Sequence, residues 1–235
     1  MKKTRGNSGY IGVDKRTSGI GIISQQTAYL ERLSGRLAPT VDKQLVTDQL
    51  VLKLDGKVYS GVGDWLDQSG NGNDFTLQGG PVYSEADYSF QTDSTDDSFK
   101  RTGGSVVSTS ECTVCFVLKT TDIQAVFVEG QSNSYYLGAF RSGNKEYYGL
   151  AGSGIGYFQD TVDKPNIYDH VRTGDYIYIE FKGADMDAWT TWDFFGYTSY
   201  ELLNTCRMIL VYDKLLSAEE STQNYEYLVA NGYLY

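Results

Sequence analysis

Short runs with apolar residues at every second position dominate the chain after residue 45. Leu50, Leu52 and Leu54 lie on one face of such a run, which has the two-residue period of a strand. Two nearly continuous apolar runs, 112–118 and 206–212, are typical of central strands. Turns rich in glycine, asparagine and aspartate separate the runs. The pattern predicts an all-β fold, a two-sheet antiparallel jelly-roll sandwich.

One short helix is predicted at the C-terminal end. Ser217 and Glu220 have the spacing of a capping box, in which each side chain bonds the backbone N–H of the other residue. Asn231 and Gly232 supply the stop signal. The predicted inward stripe of this helix consists of Thr222, Tyr225, Leu228 and Val229.

Residues 1–44 are predicted to form an extended anchoring arm ahead of the jelly-roll domain at 45–235. Residues 6–21 are rich in glycine and serine, and a short helix of about 12 residues follows and ends at Pro39. A helix of this length is marginal alone in water, so its apolar stripe must lie on a partner or on the edge of its own sandwich. The predicted partner-docking residues are Tyr29, Leu30, Arg32, Leu33, Arg36 and Leu37.

Charge is unevenly distributed along the chain. The 235 residues carry a net charge of −10, yet residues 1–40 hold seven basic and two acidic side chains, so the remainder carries −15. An acidic body repels phosphates, so nucleic acid is not an expected partner. A basic arm is typical of a segment that docks on other proteins, and a homo-oligomer is expected. Neither a membrane span of roughly 18 apolar residues nor a secretory signal is expected from the sequence.

The three cysteines are expected to be reduced. Cys112 and Cys115 lie on one predicted strand, where residues three apart point to opposite faces and are poorly placed to share a bond or a metal. Together with Cys206 they leave an odd thiol under any pairing. A zinc site is not expected, because there is no second pair of ligands.

Three segments, in the right order, resemble concanavalin-A-like (laminin-G-like) jelly-roll domains. They are Trp-Leu-Asp-Gln-Ser-Gly-Asn-Gly-Asn at 65–73, the segment 89–99 with its paired aspartates, and the closing strand and helix from residue 209 onwards. The resemblance covers about residues 45–235 and implies the sandwich fold. It implies little about activity, because this superfamily includes lectins, hydrolases and structural modules.

The front of the chain carries a second resemblance. Residues 7–12, Asn-Ser-Gly-Tyr-Ile-Gly, are similar to the N-terminal segment of many structural proteins of tailed bacteriophages. Such phages often carry a jelly-roll domain behind a short attachment segment. The resemblance therefore implies a protein of the virion, assembled in the host cytoplasm, whose arm binds other virion proteins.

A catalytic site is not predicted. The glucanases of the resembled superfamily use two or three carboxylates on one strand face, whereas Glu180 stands alone on its strand and Asp185 and Asp187 lie in a loop. Retaining glycosidases need two carboxyl groups about 5–5.5 Å apart. His170, the single histidine, falls in a predicted turn without a nucleophile beside it.

Two sets of loop oxygens are candidate calcium ligands, because lectin-like jelly rolls often bind that ion. They are Asp93, Asp96 and Asp97, and Asp67 with Asn71 and Asn73. The alternative is that these side chains cap their own turns. Turn capping is the preferred interpretation, so no cofactor is expected.

An aromatic cluster near residue 190 is a candidate sugar site, because aromatic rings stack on sugars and neighbouring carboxylates bind hydroxyl groups. Its glycan-binding candidates are Trp189, Trp192 and Tyr197. A core corner or a subunit interface has the same composition and is the preferred interpretation.

These features together predict a non-enzymatic virion structural protein, namely a capsid decoration, fibre or tail-appendage module. The arm would dock it on the particle, and the lectin-like jelly roll would be displayed outward. The alternative function is a glycan-binding adhesin module that attaches to a host surface glycan. A glycoside hydrolase is the third hypothesis.

Overall fold

Fourteen strands and one α-helix make up the regular structure of the described residues. The computed structural model describes residues 43–93, 96–120, 126–130, 136–141, 144–147, 156–159, 162–163, 174–196 and 204–234. The strands are β1 (Leu50–Asp55), β2 (Thr76–Gln78), β3 (Val82–Ser84), β4 (Ser89–Gln91), β5 (Ser98–Thr102), β6 (Cys112–Thr120), β7 (Val126–Glu129), β8 (Tyr136–Arg141), β9 (Asn144–Tyr147), β10 (Gly156–Gln159), β11 (Val162–Asp163), β12 (Ile177–Ala184), β13 (Thr191–Phe194) and β14 (Asn204–Tyr212). The helix is α1 (Ala218–Ala230), and a 3-10 turn (Gly56–Val58) follows β1.

The strands form two sheets in which every pair is antiparallel. The eight-stranded sheet has the order β11-β10-β12-β6-β14-β4-β3, and β1 also pairs with β14. The six-stranded sheet has the order β2-β5-β13-β7-β8-β9. The predicted all-β, two-sheet antiparallel sandwich with one short C-terminal helix is therefore confirmed.

Aromatic side chains fill the core between the two sheets. Phe116, on the central strand β6, contacts Phe127, Phe181 and Phe194 with ring centroids 5.2, 6.0 and 5.9 Å away. Full burial of one such side chain contributes about 1.5–3 kcal/mol to stability. Other rings that are essentially inaccessible to solvent are those of Trp65, Phe75, Phe90, Phe99, Trp189 and Trp192.

A second hydrophobic layer covers the outer face of the eight-stranded sheet. Leu45, Val46 and Leu228 lie there against β6, β12 and β14. These strands are consequently buried on both faces, which explains the continuous apolar runs in their sequences. Cys112 belongs to the inner core and Cys115 to the outer layer, as their strand spacing predicts.

The strand β1 divides its leucines between the two layers. Leu52 and Leu54 are buried in the inner core, but Leu50 packs against the outer layer. A register irregularity between Leu50 and Leu52 shifts the pairing with β14, which is the effect of a β-bulge. The prediction that all three leucines share one face was therefore wrong at Leu50.

The helix α1 has the predicted termini but a different buried face. Ser217 and Glu220 form the capping box, and Asn231 is the C-cap. The buried residues are Ser221, Asn224 and Leu228, so the predicted stripe was wrong at Thr222, Tyr225 and Val229, which are only half-buried.

Polar groups beneath α1 explain why its buried face differs from the predicted one. Asn224 accepts a hydrogen bond from the Val46 N–H at 3.0 Å and donates to the hydroxyl oxygens of Tyr178 and Tyr212 at 3.3 and 3.1 Å. Ser221 donates to Glu180 Oε2 at 2.6 Å. Buried polar groups need hydrogen-bond partners, so the helix places its polar side chains over them.

Residues Lys43–Tyr235 form one compact unit. The predicted arm, with its helix and its docking residues, lies outside the described residues, and its boundary stays a prediction. Within the described part of the chain, no helix combines the length and the apolar character needed to span a bilayer.

Candidate functional site

The tryptophans predicted as sugar-binding residues belong to the inner core. Trp189 is 1% exposed and Trp192 is 0% exposed, and their ring centroids lie 5.7 Å apart. A sugar cannot reach these rings, so the glycan-binding hypothesis was wrong for both residues, and the preferred core interpretation is right. Tyr197 lies outside the described residues.

The carboxylates considered for catalysis are not placed for it. Glu180 is 0% exposed beneath α1, where it also accepts a hydrogen bond from Tyr178 and lies 3.3 Å from Lys182 Nζ. Burial raises the pKa of Glu180, although the hydrogen bonds from Ser221 and Tyr178 oppose the shift. Asp185 and Asp187 are exposed in the loop after β12. His170 lies outside the described residues.

Asp67 caps a turn, as the preferred interpretation of its loop predicts. Its Oδ1 accepts hydrogen bonds from the N–H groups of Lys53 and Ser69, at 2.9 and 2.8 Å. Its Oδ2 accepts bonds from the Ser69 hydroxyl and from the Asn73 N–H, at 2.8 and 3.0 Å. The carboxylate thereby ties the turn at 69–73 to β1, and its hydrogen bonds account for both oxygens.

The other calcium candidates, Asp93, Asp96 and Asp97, do come together. Their carboxylate oxygens lie within 4.8 Å of one another, and Asp97 is buried whereas the other two are exposed. Calcium takes six to eight oxygen ligands, so three carboxylates would supply only part of its shell. Asp97 Oδ2 also accepts a hydrogen bond from the Asp93 N–H at 3.0 Å, which is a turn-closing role.

A pair of carboxylates that the sequence does not reveal lies on the six-stranded sheet. Asp193 on β13 is the cross-strand neighbour of Glu129 on β7 and of Lys100 on β5. Lys100 Nζ is 3.4 Å from Asp193 Oδ2. Burial raises the pKa of both carboxyl groups, and the charge of Asp193 further raises that of Glu129. Asp193 is only 7% exposed, which leaves little access for a glycosidic bond.

A solvent-exposed groove lies between the free edges of the two sheets. β2 is the edge of the six-stranded sheet, and β3 is the edge of the eight-stranded sheet. The groove has a volume of ≈ 570 Å³. Small-molecule sites typically measure about 300–1,000 Å³. Its lining residues are Tyr59, Gly61, Val62, Gly63, Asp64, Thr76, Leu77, Pro81, Tyr83 and Phe90.

Two tyrosines form a fixed aromatic wall in this groove. The rings of Tyr59 and Tyr83 meet edge to face with centroids 4.8 Å apart, and Tyr59 packs in the same way on Phe90. The Tyr83 hydroxyl donates to the Gly56 carbonyl at 2.8 Å, and the Tyr59 hydroxyl donates to the Gly63 carbonyl at 3.0 Å. Both rings are therefore held before any ligand arrives.

The loop 60–64 also lines the groove, and it is exposed to solvent. Gly61 and Gly63 have φ angles of +84° and +78°, a left-handed conformation that glycine adopts at no steric cost. Val62 between them is 76% exposed, and the neighbouring Asp64 carboxylate is exposed as well. The groove thus combines aromatic rings, an apolar side chain and a free carboxylate.

Sequence reasoning did not find this groove. Tyr59 and Asp64 belong to the segment that resembles the opening of jelly-roll domains, and Tyr83 lies on a three-residue strand about 20 residues later. The available signal was Tyr-Ser-Gly-Val-Gly-Asp at 59–64, where glycines on both sides of the valine indicate a loop and therefore an apolar side chain at the surface.

The comparisons with known proteins give only structural likenesses. No family model matches the chain, and no curated protein matches it. The binding domain of Paraclostridial Mosquitocidal Protein 1 is similar over 76% of this chain and 52% of that one, with 12% identity and a TM-score of 0.53. Trypanosoma rangeli sialidase in complex with the inhibitor DANA is similar over 85% of this chain and 38% of that one, with 10% identity and a TM-score of 0.52.

A third solved structure, the HCR/D F1240A mutant, is similar over 77% of this chain and 51% of that one, with 13% identity and a TM-score of 0.50. The chain thus spans about half the length, or less, of these structures. At such identities the likeness shows the β-sandwich fold alone. The resemblances to concanavalin-A-like domains and to phage proteins stay predictions beyond that fold.

Proposed function

We propose that the chain is a non-enzymatic binding module whose groove between the sheet edges binds a carbohydrate. The observation that carries this proposal is the groove itself, which is lined by Tyr59 and Tyr83 and by an exposed loop that presents Val62 and Asp64. Apolar patches of a sugar ring pack on aromatic and aliphatic side chains. Its hydroxyl groups donate hydrogen bonds to carboxylate oxygens.

Pre-organisation of the groove favours this function. Binding costs free energy when side chains must first be ordered, at about 0.5–1.5 kcal/mol for each mobile side chain. Here both tyrosine hydroxyls already donate to carbonyl groups and both rings pack on neighbours. Weak ligands such as single sugars gain most from a site of this kind.

Non-enzymatic binding agrees with the placement of the carboxylates. Glu180 and Asp193 are buried, and the groove presents one carboxylate, Asp64, whereas glycosidases generally need two. Among the structural neighbours, the mosquitocidal protein fragment is named a binding domain, which supports this function. The sialidase neighbour is named an enzyme, so sugar turnover has to be measured as well.

A glycan array probed with the full-length chain tests this proposal. We expect hits that are lost in Val62→Asp, because a charge would replace the exposed apolar side chain of the groove. The matched control is Leu215→Asp, since Leu215 is also exposed, at 46%, but does not line the groove. An array without hits, or hits that Val62→Asp retains, would contradict the proposal. Hydrolysis of a hit would contradict its non-enzymatic part.

We further propose that residues 1–44 attach this module to a larger assembly, as in a virion structural protein of a tailed phage. The supporting observation is the charge separation, with +5 on residues 1–40 and −15 on the remainder. Mass spectrometry of purified particles tests the virion location, and the outcome that contradicts it is the absence of this chain from the particles.

A further inference from the structure

The residues that line the groove carry acidic charge and no basic charge. Of the ten lining residues, Asp64 is the one with an acidic side chain, and none has a basic side chain. An acidic sugar, such as a sialic or uronic acid, carries a carboxylate that proteins generally pair with arginine or lysine. Within the described part of the chain, the lining of this groove offers neither.

The negative field of Asp64 acts on the aromatic wall. Tyr59 has a raised pKa because its hydroxyl is partly buried and because the charge of Asp64 lies close to it. Tyr83 likewise has a raised pKa, through burial and then through the charge of Glu85. Two carboxylates, Asp64 and Glu85, therefore act on the two rings that a sugar would contact.

The rest of the domain adds to this field. Residues 41–235 carry a net charge of −15, which disfavours the approach of an anion to the domain. The charge of Asp64 and a negative charge on the ligand repel each other near the protein surface, where water and salt screen them only partly. The Asp64 carboxylate, which would accept hydrogen bonds from the hydroxyl groups of a neutral sugar, thus repels a sugar that carries a negative charge.

We infer that the groove selects uncharged glycans and rejects glycans that carry a carboxylate or a sulfate at the bound position. This inference rests on the proposed function and names its ligand class. A penalty of about 1.4 kcal/mol corresponds to a tenfold change in affinity. We therefore expect neutral glycans to bind at least about tenfold more tightly than their acidic counterparts.

Matched glycan pairs titrated into the full-length chain by calorimetry test the inference. Suitable probes are N-acetyllactosamine with its sialylated form, and cellobiose with the corresponding uronic acid disaccharide. We expect the ratio of affinities to fall to about threefold or less in Asp64→Asn, which keeps a hydrogen-bonding oxygen but loses the charge. The matched control is Glu111→Gln, since Glu111 is exposed and does not line the groove.

Ionic strength provides an independent readout. For the unsubstituted chain, the ratio of the affinities for neutral and acidic glycans is expected to fall at about 1 M salt, where the Debye length is only about 3 Å. Acidic members that bind as tightly as the neutral ones, or more tightly, overturn the inference but leave the proposed function standing. The absence of binding by every neutral and acidic probe overturns the proposed function, and the inference with it.

Discussion

Replacement of Asn224 by alanine tests how α1 is held on the sandwich. Asn224 is fully buried, and each of its polar atoms has a partner. Its Oδ1 accepts the Val46 N–H, and the two hydrogens of its Nδ2 go to the hydroxyl oxygens of Tyr178 and Tyr212. The Tyr212 hydroxyl itself donates to the Val46 carbonyl at 3.0 Å. One side chain therefore joins α1, β12, β14 and the segment before β1.

The expected loss of stability follows from these three hydrogen bonds. A hydrogen bond contributes a net amount of about 0.5–1.5 kcal/mol, so three contribute about 3 kcal/mol. The Val46 N–H would in addition remain buried without an acceptor, which moves the value towards the upper end. For a domain of this size, about 3 kcal/mol lowers the Tm by roughly 6–12 °C.

Chemical denaturation of Asn224→Ala, followed by circular dichroism, measures this loss. The control is Gln223→Ala, one residue earlier on the exposed face, where the side chain donates to the Gln44 carbonyl at 2.9 Å. Exposed substitutions of this kind change stability by about 0.5 kcal/mol or less. A loss below about 1 kcal/mol for Asn224→Ala, or equal losses for both variants, would show that these hydrogen bonds do not hold α1 on the sandwich.

Three further outcomes are expected. Asp213 accepts hydrogen bonds from the N–H and hydroxyl groups of Ser108 and Thr109; burial opposes ionisation, but these bonds outweigh it and lower the pKa of Asp213. Asp213→Asn should therefore lower the free energy of unfolding by about 2 kcal/mol at pH 7. The difference in this free energy between the variant and the unsubstituted chain should shrink as the pH falls below about 4 and through the depressed pKa of Asp213. A difference that stays constant from pH 7 to pH 2 would contradict this role of Asp213. The three cysteines are buried and free, so alkylation without reductant should label none in the native chain and three after denaturation, whereas fewer than three would indicate a disulfide. The fragment 43–235 should unfold cooperatively near the Tm of the full chain, since residues Lys43–Tyr235 form one compact unit; an unfolded fragment would show that the domain needs residues 1–42 for its core.

The strands and the terminal helix were predictable because their signals are local. The nearly continuous apolar runs at 112–118 and 206–212 and the capping box at Ser217 depend only on neighbours in sequence. The buried face of α1 was not predictable, because it is determined by contacts with Glu180, Tyr178 and Tyr212, which belong to other elements. A hydrophobic stripe is the default expectation for a packed helix, and here polar partners beneath it override that default.

The candidate site escaped prediction for a related reason. Tyr59, Asp64 and Tyr83 come together only where the edges of two sheets meet, and no sequence spacing encodes that meeting. The aromatic density around Trp189 and Trp192 gave the stronger signal in the sequence. Both tryptophans are buried in the core, where large aromatic side chains contribute most of the packing, so the high aromatic content of this segment reflects the core and not a binding site.

Chemical-shift mapping is a direct test of carbohydrate binding in the groove. The measurement follows the backbone amide signals of the ¹⁵N-labelled full-length chain while a neutral glycan from the array is added. If the glycan binds in the groove, the largest shifts fall in residues 59–64 and 76–83, and Val62→Asp removes them. Shifts that fall instead around Lys100, Glu129 and Asp193, or the absence of shifts at saturating glycan, would contradict it.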